Sequence, residues 1–201
     1  MTARPAVATL RALTQRVGAL APALALAAPA VRRAAVAAVL RPDGGGSADL
    51  LFIERAVYPG DPWSGQVAFP GGRAEADDPT LRHTAVRETR EELGSDLEQL
   101  ASFVGTLDEI HPRTTLLPPI VVRPHVFVLH ADFPTTPSDE VAAAFWVPLG
   151  VLLEPATRGR REVEARGARF TMPAFTVGER VIWGMTERIL SQLLGLPLPP
   201  W

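Results

Sequence analysis

Glu88, Glu91 and Glu92 fall at i, i+3 and i+4 of a single acidic stretch, and a Pro70-Gly71-Gly72 turn lies just upstream. On a helix, at about 100° per residue, the three carboxylates occupy an arc of roughly 100° on one face. Like charges so placed repel, by a few tenths of a kcal/mol per exposed pair and by more when partly buried. A hard divalent cation relieves that repulsion and suits oxygen ligands. Once bound it neutralises phosphate charge and lowers the pKa of an attacking water. The glycine pair lets the backbone come close to a metal or a phosphate. On the helix alone, an ordinary solvated acidic face paired with Arg87 and Arg90 competes with this reading.

Composition removes most rival chemistries. The 201 residues include no cysteine, which excludes thiol nucleophiles, thiolate metal sites and disulfides. All 20 basic residues are Arg, so neither a Schiff-base lysine nor a P-loop lysine exists. No H-E-x-x-H or G-x-S-x-G string is present. What remains is carboxylate, histidine and metal chemistry. A net charge of −2 gives no basic field for nucleic acid, and 47% apolar with 21% charged residues is ordinary for a globular domain.

The elements that must position these residues can be read around them. Ala34–Leu40 and Asp49–Arg55 read as strands joined by the Pro42–Ser47 turn, a hairpin. Gln66–Phe69 reads as a short strand stopping at Pro70-Gly71-Gly72. The acidic helix runs from Pro79 to Leu93, with Asp78 as N-cap, Gly94 as C-terminal cap and a buried stripe of Leu81, Ala85, Val86, Thr89 and Leu93. Ser102–Leu107 and Ile120–His130 read as strands, with Pro124 implying an edge or a bulge and His125 and His130 facing solvent. Phe145–Val147 is a further strand, Pro148–Leu153 a short helix, Arg161–Phe175 a hairpin around Gly167, and Arg180–Trp183 a strand before a helix over Met185–Leu194. Mixed strands and helices point to one α/β domain.

Residues 1–30 are expected to form a helical segment and residues 31–201 the catalytic domain with its C-terminal helix. The first 42 residues carry six arginines and no acid, and Val17–Ala30 competes as a signal core, interrupted by Pro22 and Pro29. The leading amphipathic helix is the simpler reading. No breaker-free apolar run reaches the ~18 residues of a membrane span. A cytoplasmic protein with no membrane or nucleic-acid partner is expected, and a homodimer is compatible with the sequence.

The conjunction of Gly72 with Arg87-Glu88-Thr89-Arg90-Glu91-Glu92-Leu93-Gly94 resembles the Nudix box: Gly, five residues, Glu, seven residues, Arg-Glu, an apolar residue, any residue, Glu-Glu, any residue, Gly. The stretch from Gly72 to Arg87 is one residue longer than the general box. No Glu occupies the intermediate position, Glu75, Asp77 and Asp78 being the nearby acids, so the partner of Arg87 stays open. Thr89 stands where an apolar residue is usual. Gly65–Gly72, Leu51–Ala56 and Ile182–Thr186 are similar to the coenzyme A pyrophosphatase-like branch, with Trp63 at a position where that branch usually has His.

This resemblance implies a Nudix-type α/β/α sandwich with a mixed central sheet, Mg²⁺ or Mn²⁺, and a small-molecule nucleotide substrate. It implies Glu88, Glu91, Glu92 and the Gly72 carbonyl as metal ligands, with Arg87 orienting a carboxylate. Glu92, Glu140 and Glu109 compete as the base for the attacking water. Arg55, Arg73 and Arg113 are candidate phosphate contacts, Trp63 a candidate base-stacking residue, and His111 a residue near the cleft. The reaction it implies is cleavage of coenzyme A to 3′,5′-ADP and 4′-phosphopantetheine. Another nucleoside diphosphate derivative and a non-catalytic binding module of the same fold are the alternatives.

Overall fold

A computed structural model describes residues 9–23, 31–61, 63–112, 119–165 and 167–198. Its elements, in order, are α1 (Leu10–Gly18), β1 (Arg32–Pro42), β2 (Ala48–Arg55), β3 (Val67–Ala68), β4 (Gly71–Arg73), α2 (Leu81–Leu93), α3 (Leu97–Leu100), β5 (Ala101–Thr106), β6 (Ile120–Leu129), β7 (Val141–Pro148), α4 (Leu149–Leu153), β8 (Arg158–Ala165), β9 (Ala168–Val177), β10 (Arg180–Trp183) and α5 (Gly184–Leu194).

Seven strands form one mixed sheet in the order β3-β2-β1-β6-β5, with β4 also pairing β1 and β7 pairing β2. β1 and β6 run parallel from Arg32↔Ile120 to Leu40↔Val128, and the remaining pairs are antiparallel. A second sheet of β8, β9 and β10 stands apart from it.

The period-2 alternation of β1 divides the core in two. Ala35, Ala37 and Val39 pack with Leu81, Ala85, Val86 and Leu93 of α2 and with Leu97 of α3. Ala34, Ala38 and Leu40 pack on the opposite face with Leu13 and Val17 of α1, Leu149 and Leu152 of α4, and Ile189, Leu190, Leu193 and Leu194 of α5. This is the α/β/α sandwich expected from the sequence.

Three local expectations change. Asp78 does not cap α2: Thr80 does, its Oγ1 accepting the His83 N–H, and the helix begins at Leu81 rather than Pro79. The short strand stops before Pro70 as expected, and a new strand, β4, begins at Gly71 against Ala34–Val36. Pro124 lies in an interior strand. Its carbonyl accepts the Leu107 N–H at 3.0 Å, so its missing donor faces the side where the β5 ladder has ended at Thr106↔His125; the bulge is in β5, between Phe103 and Gly105. His125 is buried, not solvent-facing. Its Nδ1 lies 3.1 Å from Thr106 Oγ1, and burial, with Arg123 and Arg82 nearby, lowers its pKa to about 4. His130 is exposed as expected.

α1 is a working part of the sandwich. Leu13 and Val17 are fully or almost fully buried. The Arg16 guanidinium donates to the carbonyls of Gln192 and Leu193 at the C-terminus of α5. Residues 24–30, the later part of the signal-like run, lie outside the described residues, as does Arg4.

Leu13→Ala is expected to lower stability by about 2–5 kcal/mol, the range for a truncated buried leucine, measured as a shift of the urea unfolding midpoint. A change within experimental error would show that α1 is not packed on the core.

Candidate active site

Two glycines set the geometry of the turn. Gly71 has φ +146°, and a Cβ there would sit 2.3 Å from the Ala35 carbonyl oxygen and 2.6 Å from the Val36 Cα. A Cβ on Gly72 would sit 2.4 Å from the Glu88 carboxyl carbon. The turn is stitched to β1 by Ala37 N–H to Pro70 O at 2.8 Å and Ala74 N–H to Arg33 O at 2.9 Å. The absence of side chains thus lets a strand and a glutamate approach the same backbone.

The carboxylates meet this turn differently. Glu92 is buried and accepts the Gly71 N–H at 2.8 Å. Burial raises its pKa to about 8, with Glu88 and Glu140 pushing the same way and the Gly71 N–H and Arg55 opposing. Glu88 lies over Gly72, and burial raises its pKa too, against the Arg87 charge. Glu91 is more exposed, at 54% of its side chain, and is held by Arg87 Nη1 at 3.0 Å. Among the described residues no three acidic or histidine side chains are drawn together into a ready cation cage. Glu88 and Glu92 nevertheless crowd one glycine turn with hard oxygens and raised pKa values, a donor set that fits a hard divalent cation.

Arg87 organises the cluster. Its Nε donates to Asp78 Oδ1 at 3.1 Å and its Nη2 to Asp78 Oδ2 at 2.9 Å, a bidentate pair. Nη2 also donates to the Arg73 carbonyl at 3.0 Å, and Nη1 lies 3.1 Å from Glu88. Asp78 further accepts from Thr84 Oγ1 and from the Glu75 N–H. These bonds to Arg87, above all, hold its carboxyl well below the usual carboxylate range and keep Arg87 firmly charged. Asp78 is therefore the partner of Arg87 that the sequence left open. Counting six residues on from Gly72 reaches it, where the general motif has the longer Glu. Thr89 fits its apolar position because its hydroxyl donates to the Ala85 carbonyl at 2.7 Å, inside its own helix.

These groups line a cleft of ≈ 700 Å³. Arg55, Trp63, Arg73 and Glu140 all border it, as does Pro112. Arg55 pairs with Asp61 at 3.0 Å, while its buried Nε has no hydrogen-bond partner among the described residues. Asp61 also accepts the Trp63 N–H at 3.1 Å. The exposed Glu140 is anchored through its backbone, its carbonyl accepting the Ala56 N–H at 2.8 Å. Glu109 does not border the cleft: its buried carboxylate takes Arg123 Nη2 at 2.6 Å and Nε at 2.8 Å. His111 lies 3.9 Å from Glu109, also away from the cleft lining. Arg113 lies outside the described residues. Besides Asp61, sequence reasoning missed Phe170 and Met172 on the cleft wall, which no local pattern marks; Met185, also on that wall, lies in the Ile182–Thr186 run.

The NUDIX domain family matches residues 31–166. The human protein named mitochondrial coenzyme A diphosphatase NUDT8 is 34% identical over 172 residues, covering 83% of this chain and 71% of the human one. An uncharacterized protein of Schizosaccharomyces pombe is 38% identical over 135 residues, 63% of this chain. The match spans only 40% of that yeast protein's length. A MutT/nudix family protein from Enterococcus faecalis shares the fold at a TM-score of 0.53 and 14% identity, over 84% of this chain and 63% of that one.

The Asp78–Arg87 pair fixes a pH dependence. Asp78 binds its proton less readily in the folded than in the unfolded chain, so its stabilisation is complete above its ordinary value of 3.8 and disappears as pH falls through the lower folded value. Asp78→Asn is expected to cost on the order of 2–3 kcal/mol at pH 7. Urea midpoints of the two proteins should converge on acidification below about pH 4; a gap independent of pH would show that the pair does not act this way.

Proposed function

The chain belongs to the Nudix family, and on that premise we propose that it hydrolyses the diphosphate linkage of a nucleoside diphosphate derivative, with coenzyme A as the substrate. One observation carries this reading: Glu88 and Glu92 are pressed onto a glycine turn at the edge of a substrate-sized cleft. Mg²⁺ or Mn²⁺ held by Glu88, Glu91, Glu92 and the Gly72 carbonyl would neutralise phosphate charge and acidify a bound water.

The remaining roles belong to the protein's own groups. Arg87, fixed by Asp78, sets the positions of Glu88 and Glu91. Arg55 offers to a phosphate oxygen a buried Nε that has no partner among the described residues, and Arg73 a second cation at the rim. Trp63, half-buried on the lining, offers a face for a base. Glu140 is the better acceptor for the water's proton, because Glu92 is buried and already bonded to the Gly71 N–H.

Coenzyme A is favoured by likeness to the human coenzyme A diphosphatase over most of this chain. The products would be 3′,5′-ADP and 4′-phosphopantetheine. Trp63, at a position where the coenzyme A pyrophosphatase-like branch usually carries His, favours the second reading, a different nucleoside diphosphate derivative such as ADP-ribose.

Purified protein with Mg²⁺ should turn over coenzyme A with a higher kcat/KM than ADP-ribose, NADH or nucleoside triphosphates. Equal or reversed preference would remove coenzyme A and leave the second reading. Even outer-shell changes at metal sites cost about 10–100-fold, so Glu92→Gln is expected to lower kcat/KM by about 100-fold or more. Activity near wild type in Glu92→Gln, or after thorough chelation, would defeat the site assignment.

A further inference from the structure

Asp61 borders the cleft from the loop between β2 and β3, a different part of the chain from Glu88 and Glu92. Its two carboxylate oxygens are spent on different residues. Oδ2 accepts Arg55 Nη2 at 3.0 Å, and Oδ1 accepts the Trp63 N–H at 3.1 Å. Its backbone is held as well: the Asp61 N–H donates to the Tyr58 carbonyl at 3.3 Å, and the Asp61 carbonyl accepts the Ser64 N–H at 3.2 Å. Ser64 ties the loop together, its hydroxyl accepting the Tyr58 N–H at 2.6 Å. Asp61 is therefore an anchored group rather than a side chain free to swing.

Two of the arginines on the cleft lining are paired with aspartates, and the pairs are built differently. Asp78 takes both Nε and Nη2 of Arg87, which closes the guanidinium fork. Asp61 takes only Nη2 of Arg55, because its second oxygen is diverted to the Trp63 amide. Arg55 Nε is left buried, with no partner among the described residues. A buried charged donor calls for an acceptor, and the cleft is where one can arrive. The alternation that sends Leu51 and Ile53 of β2 to the α2 side of the sheet sends Arg55, the last residue of that strand, there too. A phosphate oxygen at Nε would share the guanidinium charge with Asp61.

We propose that Asp61 is a positioning residue, holding Arg55 and Trp63 in one fixed arrangement so that a phosphate contact and a base-stacking surface are presented together. An arginine held in place before the ligand arrives spares binding part of the entropic cost of ordering a long side chain. The bond to the Trp63 amide fixes where on the loop the indole departs. The proposal rests on the cleft taking a nucleoside diphosphate derivative, but not on coenzyme A being that substrate.

The test is a double-mutant cycle in the full chain with Mg²⁺. It is read by calorimetric binding of α,β-methylene-ADP, whose bridging carbon resists hydrolysis, and by kcat and KM on coenzyme A. Asp61→Asn keeps an oxygen for the Trp63 N–H but turns an amide donor toward Arg55. It is expected to weaken binding of the analogue by about tenfold, the scale of one charged hydrogen bond, and to raise KM more than it lowers kcat. Arg55→Ala should weaken binding at least as much, and adding Asp61→Asn to it should change Kd by less than about twofold. A merely structural role for Asp61 would give the same loss in both backgrounds. Asp61→Ser, whose hydroxyl also accepts from an amide two residues on, takes the place of the Asn variant if that one does not fold. Equal losses in the two backgrounds, an unchanged Kd in the Asp61 variant, or no binding of the analogue by the wild type would overturn the proposal. Absence of turnover, with the Arg55-dependent loss of binding intact, would remove the hydrolase reading and leave Asp61 in its role.

Discussion

The arrangement depends on one close approach: Glu88 and Glu92 lie against a backbone that has no room for a Cβ. At Gly71 the obstacle is β1, with the Ala35 carbonyl 2.3 Å from where a methyl would sit. At Gly72 it is the Glu88 carboxyl group itself. The same two residues thus serve the sheet and the site. Pairing with Ala34–Val36 fixes the turn in space, and the turn in turn fixes how near the acidic helix must lie. Bringing two carboxylates into that space raises their affinity for protons, Glu92 to about 8. A hard cation held there would offset that cost of ionisation.

Such crowding needs counterweights, and they are local. Arg87 contacts Asp78, Glu88 and Glu91 from a single guanidinium group, and its bidentate grip on Asp78 fixes its plane. Asp78 is itself held by Thr84 and the Glu75 N–H, so the loop before α2 is locked to the helix it precedes. Further out, α2 is seated by Leu81, Ala85, Val86 and Leu93 on the small side chains of β1, where alanines allow a helix to come close to the sheet. Packing and charge therefore act on the same helix from opposite sides.

Much of this was legible from residue order. The carboxylate spacing, the glycine turn and the C-cap at Gly94 are local signals, and the structure carries each of them. The alternation in β1 was legible as a buried strand, although not which residues faced which helix. The failures have physical causes. Asp78 looked like a cap because Asp before Pro is a common helix start, but a half-buried arginine nine residues later offered it two charged hydrogen bonds instead. Pro124 looked like an edge residue because sequence does not tell where a neighbouring strand departs. His125 alternates with apolar residues like an exposed position. Yet both faces of this sheet are covered, so alternation here does not mean solvent.

What sequence order could least reveal is the meeting of α2 with β9 and α5, separated by roughly half of the chain. No local motif marks Phe170 or Met172, and each reads alone as an ordinary core residue. They border the cleft because β9, in the separate sheet of β8, β9 and β10, shares its lining with Ala34 and Val36 of β1 and Val122 of β6. α5 completes that wall at its N-terminal end, while its C-terminal carbonyls are tied to Arg16 of α1. The leading helix thus reaches the cleft without touching it. It braces the C-terminal end of a helix that is seated in the core by Ile189, Leu190, Leu193 and Leu194 and whose N-terminal end, at Met185, borders the cleft.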